Sequence, residues 1–98
     1  MKIAVPKETR AGERRVALDP EACRKLAQVG AEVAVEAGAG ASAGFPDAAY
    51  EAAGAKVLAD AVALLGEADF VLKVQAPQAR PDGTHEADLL KPGAILLA

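Results

Sequence analysis

Two short segments carry the side chains best suited to chemistry. The first, Arg14-Arg15-Val16-Ala17-Leu18, follows an apolar stretch near the start, with Glu8 and Glu13 close before it. The guanidinium of Arg15 is a planar fork that matches a carboxylate or a phosphate, and it could equally be a solvated side chain paired with Glu13 or Glu8. The second segment, Val71-Leu72-Lys73-Val74-Gln75-Ala76-Pro77, places a lysine in an otherwise apolar run. An ammonium there must reach a rim, pair with a carboxylate or lose its proton on burial. Gln75 lies two residues on, so a continuing strand would send its side chain out on the same face as Lys73.

A third motif, Gly38-Ala39-Gly40-Ala41-Ser42-Ala43, has the spacing of a dinucleotide fingerprint. Its context argues for a structural turn instead. A fingerprint runs directly into a helix that holds a pyrophosphate, and an acidic residue about 20 positions later binds the ribose. Here Gly44-Phe45-Pro46 intervenes before any helix can begin, and Asp60 fits the acidic position only loosely. Cys23 is the one cysteine and has no ligand-spaced companions, which points to a small core side chain and a reducing compartment. His85 stands alone in a polar stretch and reads as a surface residue. No Ser/His/Asp set, zinc spacing or P-loop is present, so catalytic and metal residues are expected to be none.

The elements that would position these groups follow from pattern. Lys2 to Val5 is a strand closed by Pro6, and a long polar loop runs from Lys7 to about Leu18. Asp19-Pro20-Glu21 is a helix start, with a capping carboxylate, a proline in the first turn and an acid at the positive end of the dipole; Gly30 stops that helix. Strand two is Glu32 to Glu36. Pro46-Asp47 opens a second helix that ends at Gly54, strand three is Lys56 to Leu58, and Asp60 caps a brief helix ended by Gly66. Strand four is Asp69 to Gln75, terminated by Pro77. A polar loop, a possible short helix and the turn Pro92-Gly93 then lead to a last apolar strand.

The alternation predicts an α/β fold: a parallel doubly wound sheet, Rossmann-like or flavodoxin-like, of about five strands with helical crossovers. The carboxyl rim of such a sheet is where ligands bind, and Arg15 and Gln75 are expected to meet there. The chain of 98 residues has room for one small domain, and it stops inside the apolar run Ala94-Ile95-Leu96-Leu97-Ala98, so the sheet is expected to be incomplete at its C-terminal side.

Composition narrows the classes further. The chain is 52% hydrophobic with only three aromatics, which suits an Ala/Val/Leu core of helices on a parallel sheet. A formal charge of −3 with scattered basic residues argues against nucleic acid. There is no apolar secretory h-region and no membrane-length run, so a soluble, cytoplasmic segment is expected.

With those residues in place, the chain resembles the N-terminal segment shared by alanine dehydrogenase and the α subunit of NAD(P) transhydrogenase. The matching pieces are Val5-Pro6-Lys7-Glu8, Glu13-Arg14-Arg15-Val16-Ala17-Leu18-Asp19-Pro20, Glu36-Ala37-Gly38-Ala39-Gly40, Ala52-Ala53-Gly54-Ala55, Ala68-Asp69, Lys73-Val74 and Lys91-Pro92-Gly93. In the dehydrogenase branch the arginine matching Arg15 grips the substrate carboxylate, and the second lysine of Lys-Val-Lys-Glu-Pro polarises the carbonyl. This chain reads Lys73-Val74-Gln75-Ala76-Pro77, so Gln75 stands where that lysine would be. A neutral amide cannot offer the cation.

The Gln75 form looks like the transhydrogenase branch, in which hydride passes between NAD(H) on this subunit and NADP(H) on a partner. The resemblance therefore implies a partial domain over residues 1–98, with Arg15, Lys73 and Gln75 as vestigial substrate-pocket residues. NAD would be bound by a lobe not in this segment and NADP by a partner subunit. It also implies a homodimer of α subunits, peripheral to the inner membrane through a β subunit or membrane component, with no membrane insertion of this segment. The alternatives are an alanine dehydrogenase-like amino-acid oxidoreductase and a scaffold or oligomerisation lobe without catalytic residues.

Overall fold

The computed structural model describes residues 1–98. Five strands, β1 (Lys2–Val5), β2 (Glu32–Glu36), β3 (Lys56–Leu58), β4 (Phe70–Leu72) and β5 (Ile95–Leu97), form one wholly parallel sheet in the order β3-β2-β1-β4-β5. The chain builds outward from β1 to β3, then returns past β1 to lay down β4 and β5. That reversal opens a crevice between the carboxyl ends of β1 and β4, the usual ligand position in an open α/β sheet. The expected α/β architecture is what forms.

The period-two alternation of the strands divides the core between the two faces. Ile3, Val5, Val33 and Val35 point to one side, where they pack with Cys23 and Tyr50 of helices α1 (Pro20–Gln28) and α2 (Asp47–Ala52). Ala4 and Val71 point to the other, under Leu64, Leu65 and Ala68 of helix α3 (Ala61–Gly66) and the segment that follows it. The helix starts are built as their sequence suggests: Asp19 accepts from the Ala22 N–H at 2.8 Å and Asp60 from the Val62 N–H at 2.9 Å. No helix is long and apolar enough to cross a membrane.

Two elements differ from the sequence reading. The fourth strand ends at Leu72 rather than Gln75. Opposite this point β1 gives way to Pro6, which has no N–H, while the N–H groups of Val74 and Gln75 donate to the Glu8 carboxylate at 2.9 and 3.2 Å. A side chain thus replaces the ladder. The possible helix before Pro92 is a single 3-10 turn, Glu86–Leu89, capped by His85 Nδ1, which accepts from the Ala87 N–H at 3.2 Å. On the outer strand β5, Ile95 and Leu97 are about half exposed.

Candidate functional site

The loop after β1 and the loop after β4 meet over the crevice in two layers. The inner layer is a buried ion lattice. Lys73 Nζ lies 3.1 Å from Glu8 Oε1 and 3.2 Å from Glu86 Oε1. Arg80 spans from Glu86, 2.7 Å from Nη1, to both Glu36 oxygens, each 2.7 Å from Nη2. Glu36 also accepts from the Lys7 N–H at 2.9 Å, and Glu86 from the Gln78 N–H at 2.9 Å. Charges so removed from water persist only when paired and hydrogen-bonded, and each member of this lattice is. Three carboxylates and two cations therefore fasten the end of β2 and both loops to one another.

The outer layer turns on Glu13. Its Oε2 accepts from the backbone N–H groups of Arg14 and Arg15 and from Arg15 Nε, each at 3.0 Å. Its Oε1 accepts from Arg15 Nη2 at 2.9 Å and from Gln75 Nε2 at 2.6 Å. The Arg15 guanidinium, followed by the Gln75 amide and the Arg15 backbone N–H, holds the Glu13 carboxyl far below the usual carboxylate range. Glu13 in turn raises the Arg15 pKa. Gln75 completes the layer by accepting from Arg10 Nη1 at 3.0 Å.

Arg15 and Gln75, 60 positions apart in the chain, are thus brought to one carboxylate oxygen. Lys73 takes a different direction from Gln75: its ammonium is enclosed in the inner lattice, while the Gln75 amide stays with the outer layer. Both directions trace back to Glu8, which binds the lysine ammonium and the backbone on either side of Val74. Arg80 and Glu86 carry no motif in the sequence, and Glu36 opens the shared piece Glu36-Ala37-Gly38-Ala39-Gly40 without being singled out there as a site residue. The only hint is that Glu36, like Lys73, puts a charge at the carboxyl end of an apolar strand.

The glycine turn is packed rather than open. A Cβ on Gly40 would lie 2.6 Å from the Tyr50 ring and hydroxyl and 2.8 Å from the Phe45 carbonyl oxygen. The Gly38 N–H is already taken by Asp47 Oδ1 at 2.9 Å. Cys23 is fully buried, its thiol pushed up to about 11 by desolvation with Asp19 adding to it. No group of three or more His, Cys, Asp or Glu side chains is arranged to hold a metal ion.

Beside Arg15 a shallow groove of about 360 Å³ runs along Val16, Leu18 and Phe45. A larger hollow of about 500 Å³ reaches the opposite, amino end of the strands at Lys2, Glu32 and Lys56, beside Leu64 of α3.

Comparison with known proteins shows the family. The family model "Alanine dehydrogenase/PNT, N-terminal domain" matches residues 4–98. Over 97 residues the chain is 50% identical to an NAD(P) transhydrogenase subunit alpha polypeptide of Rhodospirillum rubrum, covering 99% of this chain and 25% of that protein. Over 79 residues it is 53% identical to the alanine dehydrogenase of Halomonas elongata, covering 81% of this chain and 21% of the relative. Among solved structures it superposes on the transhydrogenase of Sinorhizobium meliloti with a TM-score of 0.87 at 38% identity, over 98% of this chain and 27% of that one. The chain spans about a quarter of the length of these relatives. By sequence and by fold, it belongs to the alanine dehydrogenase and pyridine nucleotide transhydrogenase N-terminal domain family.

Proposed function

We propose that this segment is the first lobe of the NAD(H)-handling α subunit of an NAD(P) transhydrogenase. One observation carries the reading. At the position matching the carbonyl-polarising lysine stands Gln75, a neutral amide engaged with Glu13 and Arg10. Reduction of a keto acid develops negative charge on the substrate oxygen and calls for a cation or an acid there. Hydride transfer between two nicotinamides develops no such oxyanion, so an amide at this position is compatible with it.

The glycine turn does not fit a dinucleotide phosphate, because Tyr50 and Asp47 already occupy the space and the N–H that a phosphate would need. NAD(H) is therefore assigned to the remainder of the polypeptide and NADP(H) to a partner subunit. In this reading the subunit works as a homodimer docked on a membrane component, and residues 1–98 supply the rigid wall of the cleft.

The intact protein is expected to pass hydride between NAD(H) and NADP(H), and to bind NAD(H) where residues 1–98 alone do not. Rapid alanine-dependent reduction of NAD would overturn the assignment. The second reading, an amino-acid dehydrogenase, is favoured by Arg15 and by the similarity to alanine dehydrogenases. Under that reading the wild type turns over alanine, and Gln75→Lys strengthens substrate binding.

A further inference from the structure

The Gln75 amide joins two charged groups of opposite sign. Its Nε2 donates to Glu13 Oε1 at 2.6 Å, and its Oε1 accepts from Arg10 Nη1 at 3.0 Å. Because Arg10 lies in the loop after β1 and Gln75 in the loop after β4, the second bond crosses the crevice where an open α/β sheet takes its ligands. It also orients a guanidinium without cancelling its charge. A carboxylate that aims an arginine neutralises it, as Glu13 does for Arg15, whereas a neutral carbonyl leaves the full positive charge in place.

The charges of this loop are sorted by depth. Its acids, Glu8 and Glu13, have side chains only 3% and 6% exposed, and both are engaged within the fold. Lys7, Arg10 and Arg14 are exposed and form no ion pair. In a chain of formal charge −3, the carboxyl rim therefore presents a positive face. Of these three cations Arg10 is the one whose side chain is held by another, and with Nη1 committed to Gln75 its Nε and Nη2 are left to receive an oxyanion as a fork.

We propose that Arg10, aimed by Gln75, is an anion-binding residue of this rim and takes a phosphate of the nicotinamide dinucleotide held by the remainder of the polypeptide. The proposal deepens the functional reading above and rests on it. The ligand of that reading carries a diphosphate as its anionic group, and an oriented, uncancelled guanidinium at the crevice is the donor on this wall that matches it. One exposed arginine gives a single charge contact, too little to hold a dinucleotide by itself, so the effect belongs to the intact protein and not to residues 1–98 alone.

The test titrates the intact protein with NADH, read by the fluorescence of the ligand, at low and at physiological salt. Arg10→Gln is expected to weaken NADH at least about fivefold at low salt, the scale of one charge contact in solvent. The salt dependence of NADH affinity flattens in the same variant, because the lost contact is one that ions screen. Arg10→Lys keeps the charge and restores that dependence. Gln75→Leu leaves Arg10 charged but unaimed: it weakens NADH in the wild-type background and adds no further loss on top of Arg10→Gln, the coupling expected of a positioning residue that acts through the arginine.

Arg10 is exposed, so its variants are expected to melt as the wild type does, and should Gln75→Leu fail to fold, the two Arg10 variants carry the test alone. Unchanged NADH affinity in Arg10→Gln overturns the proposal and leaves the transhydrogenase reading standing. A loss that keeps the wild-type salt dependence overturns it as well, since a disturbed loop and not a missing charge would then be the cause. Wild type that fails to bind NADH at all removes the reading and the proposal together.

Discussion

Lys73 Nζ sits 3.1 Å from Glu8 Oε1 where the two side chains are 1% and 3% exposed. A lysine at a strand end would ordinarily extend its stem to water. This one is drawn inward because Glu86 closes on it from later in the same connection while Glu8 reaches over from the loop after β1. The same Glu8 carboxylate sets the backbone of Val74 and Gln75, so the inner lattice fixes where the Gln75 amide can meet Glu13.

Removing that ammonium leaves two buried carboxylates without their shared cation. Lys73→Met is expected to destabilise the fold by about 3–5 kcal/mol, the usual range for breaking a buried pair on one side. Urea unfolding checks it: the midpoint falls while the slope holds. A loss under about 1 kcal/mol would mean the lattice is far wetter than its packing implies.

Gly40 is a packing residue in this structure. Gly40→Ala places a methyl group against the Tyr50 ring and the Phe45 carbonyl, neither of which can move without disturbing the core. Thermal unfolding is expected to show a loss of about 1–3 kcal/mol, as for other overpacked sites. NAD(H) affinity per folded molecule in the intact protein stays unchanged, whereas a glycine cradling a phosphate would lose both.

Alkaline pH acts through two buried groups. Burial pushes the Cys23 thiol up to about 11 and the Tyr50 hydroxyl up to about 12, and Tyr50 donates to the Leu18 carbonyl at 2.8 Å. Both groups have raised values in the folded state, so their contribution is complete below the values of the unfolded chain and is lost as pH rises through about 11 and then about 12. Melting temperatures between pH 8 and 12 should fall, and the double variant Cys23→Ala with Tyr50→Phe should flatten the curve.

Acid acts oppositely. Glu13, held down first by Arg15, and Asp69, held down first by Lys91, have lowered values in the folded state. Their contribution is present above the ordinary carboxylate range and is lost as pH falls through it and below. The acid limb of the melting curve is expected to shift toward neutral pH in Glu13→Gln, and an unshifted limb would show that Glu13 contributes nothing to folding.

Much of the architecture is legible in local chemistry. The bounds of β1, β2 and β3 follow from short apolar runs punctuated by Pro6, Gly30 and Gly54, and the starts of α1 and α3 follow from Asp19 and Asp60. Such signals act over a few residues, so they survive without tertiary information. The fourth strand is misjudged because apolar periodicity runs on through Val74, while a glutamate 66 positions earlier takes its N–H. The turn at Glu86 falls short of a helix where its glutamate is drawn into the lattice.

The sequence by itself determined the parallel α/β sheet, the placement of its helices and the arrival of Arg15 and Gln75 at one rim, because caps, turn glycines and apolar alternation are local. Only the tertiary structure decided which of the interleaved acids and bases face inward. Glu8 and Glu13 look alike beside their arginines in the chain. One becomes the partner of a buried lysine and the other the seat of an exposed arginine, because each is held by a group more than 60 positions away that only the folded rim brings within hydrogen-bonding distance.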